Sequence, residues 1–226
     1  MKRLIIIGEG QTEQAFCEEI LRPHFYSHDI QIESPTISKT GGGIVAWHHL
    51  KDDIMRYLSR PDVYVTLLID YYGIQDKHAF PEWENAKQIP PRPGLANRMD
   101  HLEQGMATDI PDAVRYRFIP YIQLHEFEAL LFANKEVFDR SFTANEFEDY
   151  DYLNETITAF PNPEDINDGT ETAPSKRLER ILTNYTSHKP STKALWGPLL
   201  ADAIGLKVIR NKCPRFNAWI ETLENI

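Results

Sequence analysis

Apolar and polar residues fall in blocks along the chain. Leu4-Ile5-Ile6-Ile7 is a short aliphatic run that stops at Gly8-Glu9-Gly10, which predicts a buried strand and a tight turn. Thr12 is placed to cap a following helix, with Glu13 and Gln14 in its first turn and Phe16, Ile20 and Leu21 on one face. That helix should stop near Pro23. Ile30 to Ile37 alternates loosely, as a second strand would, and Gly41-Gly42-Gly43 predicts a turn. Val45, Leu50, Ile54 and Leu58 recur at helical spacing over residues 44–59. Val63 to Asp70 is the clearest strand. It is β-branched, apolar on both faces and ends in an acid, the pattern of a central parallel strand covered by helices on both sides.

Residues 71–94 carry Pro81, Pro90, Pro91 and Pro93 and read as a long irregular loop, a feature often tied to function. Met99, Leu102 and Met106 predict a helix over 95–109, and Val114 to Leu124 alternates as a strand with a bend at Pro120. A helix is expected through His125-Glu126-Phe127-Glu128 and Ala129 to Phe132. Beyond residue 134 acids and aromatics mix, and no strong strand follows. Ile166-Asn167-Asp168-Gly169 predicts a turn, Pro174-Ser175-Lys176-Arg177 a helix start, and 198–206 and 214–224 the last two helices. The organisation expected is an α/β core over 1–133 and a mainly helical region over 134–226 packed against it.

Composition narrows the class. The chain has 226 residues, 42% hydrophobic and 11% aromatic, enough for a folded core. Cys17 and Cys213 lie far apart and form no CxxC, which argues against a disulfide framework or a structural zinc site and fits a reducing cytoplasm. No apolar stretch approaches the roughly 20 residues needed to cross a bilayer. The N-terminal run is too short for a secretory signal and is expected to be the first strand. A net charge of -10 weakens broad affinity for nucleic acid, which draws on clustered Lys and Arg, but leaves nucleic acid open as a substrate where metal ions or a basic partner offset the charge.

Three strand candidates end in acids: the first at Glu9, with Glu13 one turn beyond, the second at Asp70, the third at Glu126 and Glu128. Sites in open parallel sheets form beyond the carboxyl ends of the strands. Converging carboxylates repel unless some are protonated or share a cation, and hard oxygen ligands suit Mg2+ or Mn2+. Each acid also has a plainer reading. Glu9 and Asp70 serve equally well as caps, one of Glu126 and Glu128 as a solvent-facing residue, and His125 as a hydrogen-bonded structural histidine.

Ile7-Gly8-Glu9-Gly10-Gln11-Thr12-Glu13 resembles the opening motif of TOPRIM domains, in which a glutamate ends the first strand, and Leu67-Leu68-Ile69-Asp70 resembles their second, which ends in a metal-binding aspartate. More closely, the chain resembles the uncharacterised TOPRIM-like family called domain of unknown function 4276. The stretches that carry this are Glu9 to Glu13, Asp70-Tyr71-Tyr72-Gly73, Leu124 to Phe132, Ile166-Asn167, Pro174 to Arg177 and Cys213 to Trp219. The resemblance implies a TOPRIM-like, mainly parallel sheet with helices on both faces and a helical C-terminal extension. It also implies Mg2+- or Mn2+-dependent phosphodiester chemistry like that of the overcoming-lysogenization-defect nucleases.

In that comparison Glu9 matches the general acid–base or metal-binding glutamate, Asp70 the first aspartate of an Asp-x-Asp, and Glu13 an extra acid of the nuclease type. Position 72 is Tyr, so the second aspartate is missing and Glu126 or Glu128 would have to replace it. Ser175, Lys176 and Arg177, with Lys212 and Arg215, are candidate phosphate contacts. The resemblance further implies a DNA substrate, a setting in anti-phage defence and an ATPase partner. The chain itself has no Gly-x-x-x-x-Gly-Lys loop for ATP. The alternative reading is a catalytically inactive binding or effector subunit.

Overall fold

A five-stranded parallel sheet forms the centre of the molecule. Its strands are β1 (Lys2–Gly8), β2 (Ile30–Glu33), β3 (Val63–Asp70), β4 (Phe118–Ile119) and β5 (Ile122–Gln123). The order is β2-β1-β3-β4, and β5 pairs with β3 beyond β4. The computed structural model describes residues 1–38, 43–166, 169, 171–185 and 190–226. Residues 41, 42, 167 and 168 of the two expected turns lie outside the described residues.

β1 is buried on both faces because its side chains alternate between two cores. Leu4 and Ile6 join one cluster, Ile5 and Ile7 the other. Val63, Val65, Leu67 and Ile69 of β3 join the second cluster as well. Full burial of an aliphatic side chain stabilises by roughly 1.5–3 kcal/mol, several times any strand propensity, so this layering decides the fold.

One face is covered by α1 (Gln11–Phe16), α2 (Arg22–Tyr26) and the later helices α7 (Lys135–Ser141), α8 (Tyr150–Ala159), α9 (Pro174–Ile181), α10 (Pro190–Ile204), α11 (Leu206–Lys212) and α12 (Pro214–Glu224). The other is covered by α3 (Trp47–Leu58), α4 (Trp83–Gln88) and α5 (Pro91–Asp109), and the short α6 (Asp112–Arg115) leads into β4. The chain leaves β1 in one direction, through α1 and α2 to β2, and returns through α3 on the opposite face to β3. Strand order therefore reverses between β1 and β3, the place where open α/β sheets form their crevice. One cluster contains Leu4 and Leu68 of the sheet together with Leu153, Leu178 and Leu223, so the chain after residue 134 shares a core with the strands.

The expected α/β class is the observed one, with five parallel strands and helices on both faces. Several local expectations change. Thr12 lies inside α1, whose N-cap is Gly10, β2 stops at Glu33, and the helix expected over 198–206 is divided between α10 and α11. Four further differences are larger. The first helix does not stop at Pro23. A π-helical turn over Cys17–Leu21 carries it on to Tyr26, with the Arg22 amide reaching back to the Cys17 carbonyl. The wider turn makes room for a proline ring that an α-helix would exclude. Residues 71–94 are not one irregular loop, since they hold a 3-10 turn at Asp76–His78, all of α4 and the start of α5. The strand expected over 114–124 shrinks to β4 and β5, separated by Pro120 and Tyr121, while Val114 and Arg115 belong to α6. The helix expected after His125 is a 3-10 segment, Phe127–Ala133. Among the described residues no helix is long and apolar enough to cross a membrane.

The last helix is pinned to the middle of the sheet. Trp219 Nε1 donates to Thr66 Oγ1 at 2.9 Å, and its ring stacks on Tyr121 with centroids 4.4 Å apart. α10 approaches α1 at Gly197, where a Cβ would stand 2.9 Å from Thr12 Cγ2 and 3.2 Å from the Phe127 ring. Gly197→Val should therefore destabilise the fold by about 1–3 kcal/mol in urea unfolding. A variant as stable as the parent would contradict this close approach.

Candidate functional site

The carboxyl ends of β1 and β3 meet in register, with Gly8 opposite Leu68. Glu9, the next residue, extends the ladder by donating its amide to the Leu68 carbonyl at 3.1 Å. Its side chain then turns across the strand end. Glu9 Oε2 accepts the Asp70 amide at 3.0 Å. Glu9 is half-buried, whereas Asp70 is 7% exposed. Asp70 Oδ1 in turn accepts the Phe127 amide at 2.9 Å, which ties the end of β3 to the segment after β5.

Glycines allow the crowding. A Cβ at Gly73 would lie 3.2 Å from Ile44 Cγ2, a tight fit, and 3.5 Å from Glu9 Oε1, an ordinary contact, so the loop after β3 runs close over Glu9. Glu13 reaches back from α1 to accept the Gly10 amide at 2.8 Å, which satisfies an orphan donor of that helix.

His125 has φ of 60°, the left-handed region that a β-branched or bulky residue enters only under constraint. The Tyr72 amide donates to its carbonyl at 3.0 Å, and Tyr71 donates likewise to Gln123. This turn brings Glu126 and the Phe127 amide beside Asp70. Glu126 is buried, with Oε2 accepting the Ser175 amide at 2.8 Å and Oε1 the Ser175 hydroxyl at 3.1 Å. The start of α9 is thus docked on Glu126. Glu128 is fully buried, and its Oε1 accepts the Tyr185 hydroxyl at 3.0 Å. Burial first, and then the Glu128 carboxylate, push the Tyr185 hydroxyl well above its ordinary pKa.

The structure brings the Glu9 carboxylate onto the Asp70 backbone amide and places Glu126 next to the amide that the Asp70 side chain binds. Glu13 is directed at the Gly10 amide, and Glu128 at Tyr185 in the C-terminal helical layer. The expected phosphate contacts have roles inside the fold. Ser175 gives its amide and hydroxyl to Glu126, and Lys176 Nζ donates to Glu179 at 2.7 Å. Arg177 is 7% exposed. It donates to the Thr172 carbonyl, the Tyr152 hydroxyl and Thr156 Oγ1, with the Phe160 ring 5.1 Å away. Arg215 donates to the Ile122 carbonyl at 2.8 Å and pairs with Glu103 at 2.6 Å, while Lys212 is exposed. The sequence reading did not find the Phe127 amide, Tyr185 or the packing role of Gly73. A backbone donor has no residue signature, and Tyr185 stands alone in a polar stretch.

Residues 8–224 match the family described as Domain of unknown function (DUF4276). The chain belongs to this family. The DUF4276 match opens at Gly8, the corner itself, and closes at Glu224 near the end of α12, so it includes every residue of the site. No curated protein and no solved structure matches the chain.

Two results should follow from this wiring. Glu126→Ala should lower stability by about 1–2 kcal/mol, because it removes the acceptor of a buried amide and hydroxyl together, and Ser175→Ala should cost less because the amide contact survives. Equal losses in chemical denaturation would break the assignment. Glu164, which accepts the Arg215 and Phe216 amides at the start of α12, has its carboxyl lifted above the usual range by burial, against those two amides. Its contribution to stability is full below the ordinary glutamate pKa of about 4.3 and is lost as pH rises through the higher folded value. Glu164→Gln should flatten the stability profile over that interval, and an unchanged slope would contradict it.

Proposed function

We propose that this chain is a divalent-metal-dependent enzyme acting on phosphodiesters, a nuclease or phosphodiester-transfer enzyme related to the TOPRIM group. The observation that carries the reading is the Glu9–Asp70 contact. Across 61 residues of sequence, the Glu9 carboxylate accepts the backbone amide of Asp70 at the reversal point of the sheet. The donor set fits Mg2+ or Mn2+. It consists of carboxylate oxygens, each oriented by an amide, and Mg2+ commonly uses one or two protein carboxylates while keeping several waters.

Glu9 and Asp70 would hold the ion, with Glu13 and Glu126 beside them. A bound ion would stabilise charge on the phosphoryl group and activate water. Glu9, the more accessible of the pair, is the residue proposed to move a proton at the reacting oxygen. The left-handed turn at His125 supports the reading, since it sets the Phe127 amide on the Asp70 carboxylate. DNA is the proposed substrate. The proposed ATPase partner would supply basic surface that a chain of net charge -10 lacks.

A second reading, a binding subunit without turnover, draws on Tyr72 in place of a second aspartate and on the internal engagement of Ser175 and Arg177. Calorimetric titration with Mn2+ and nicking assays on plasmid and single-stranded DNA separate the two. The enzyme reading expects metal affinity and nicking to fall on the order of 100-fold in both Glu9→Gln and Asp70→Asn. Metal binding without cleavage, with or without the partner, selects the binding subunit. Absence of Mn2+ binding defeats the enzyme reading.

A further inference from the structure

α2 and the turn that follows it present His24 and His28 four residues apart, and the end of α12 brings Glu224 against them. Their donor atoms, two imidazole nitrogens and one carboxylate oxygen, all lie within 4.8 Å of one another. His24 Nε2 is 2.7 Å from Glu224 Oε1, and His28 Nε2 is 3.8 Å from the same oxygen. Ligands on a tetrahedral zinc, at 2.0–2.1 Å from the metal, stand about 3.3 Å apart, midway between those two separations.

The surroundings are those of a prepared site. His28 Nδ1 lies 3.0 Å from the His24 carbonyl, which only accepts, and 3.2 Å from Ser27 Oγ, a setting that favours the tautomer with its proton on Nδ1. That leaves Nε2, 3.8 Å from Glu224 Oε1, as the donor atom for a metal. Glu224 Oε1 also faces His24 Nε2 at 2.7 Å and the Arg210 Nη1 donor, which lies 3.5 Å from that nitrogen, so a bound cation would take over contacts that a proton and a guanidinium make without it. A backbone carbonyl that fixes the tautomer is the usual outer support of a ligating histidine. Arg210 performs the same service for Glu224, holding Oε2 at 3.2 Å and also donating to Oε1, and is itself set by Asn217 at 2.7 Å.

We propose that His24, His28 and Glu224 bind a zinc-class transition-metal ion, with water in the fourth position because His28 is 39% exposed. The donors are imidazole and carboxylate, which suits Zn2+ over the oxygen-seeking Mg2+ of the strand-end reading, and the site is independent of that reading. The Arg210 charge opposes a cation, so affinity falls below that of closed thiolate centres. An ion here would tie α2 to a residue 200 positions away and clamp the last helix against the first.

The test is calorimetry with Zn2+ on the full chain, with Co2+ absorption to read the ligand geometry. One Zn2+ per chain is expected. His28→Ala removes one ligand but leaves the His24–Glu224–Arg210 contacts in place, so it keeps the fold and should weaken Zn2+ binding by more than about tenfold while abolishing the Zn2+-dependent rise in Tm. Glu9→Gln should bind Zn2+ as the parent does. The proposal is overturned if the parent takes up no Zn2+ or if His28→Ala binds it unchanged. It is equally overturned if the loss follows replacement of the His48–His49 pair on α3 instead.

Discussion

A strand that is apolar on both faces has no inside and outside to set its register, so something other than burial must fix where it stops. In this sheet the end contacts do so. Arg3 pairs with Glu33 at one end of β1. At the other, Glu9 donates its amide to Leu68 and accepts the Asp70 amide on its side chain. A slip of two residues along β3 would keep every aliphatic residue in its own core but would break that double contact. The same carboxylate that carries the proposed chemistry therefore also serves as a stop for the β1–β3 pair. The combination has a cost. Any change to Glu9 that alters its hydrogen bonding disturbs strand alignment as well as the site, which is why a glutamine, able to accept the same amide, is the informative replacement.

From this contact the order spreads outward by hydrogen bonds to buried acids. Asp70 takes the Phe127 amide, Glu126 takes Ser175, and Glu128 takes Tyr185. Each link carries an acid of one segment to a donor of a later one, and together they connect β3, the turn at His125, α9 and the segment after it. Acids that would repel one another in a bare cluster each face a donor. That arrangement lowers the electrostatic cost of placing several carboxylates at one edge of the sheet.

The strands ending at Glu9 and Asp70 were readable because a short aliphatic block bounded by glycine or an acid has few other uses, and the continuous apolarity of Val63 to Asp70 marked it as central. The convergence of Glu9 and Asp70 followed from parallel topology alone. What was not readable depended on partners distant in sequence. Pro23 signals a helix stop, but a π turn absorbs it because Cys17, Ile20, Leu21 and Phe25 remain buried in a shared core. Ser175-Lys176-Arg177 has the composition of an anion site. Only the fold reveals that Glu126 occupies the amide and that Tyr152 and Thr156 hold Arg177. Cationic side chains near a helix start look alike on paper whether they await a ligand or are already satisfied.

The Trp219–Thr66 contact spans 153 residues, and α12 closes over a sheet whose strands are all made before residue 124. During synthesis the sheet is therefore complete in sequence while the apolar surface that Leu4, Ile6 and Leu68 present to the C-terminal helices is still open. A nascent chain in that state is sticky and depends on shielding until α12 has left the ribosome. Truncated products, which never receive that cover, are natural targets for chaperones and proteases.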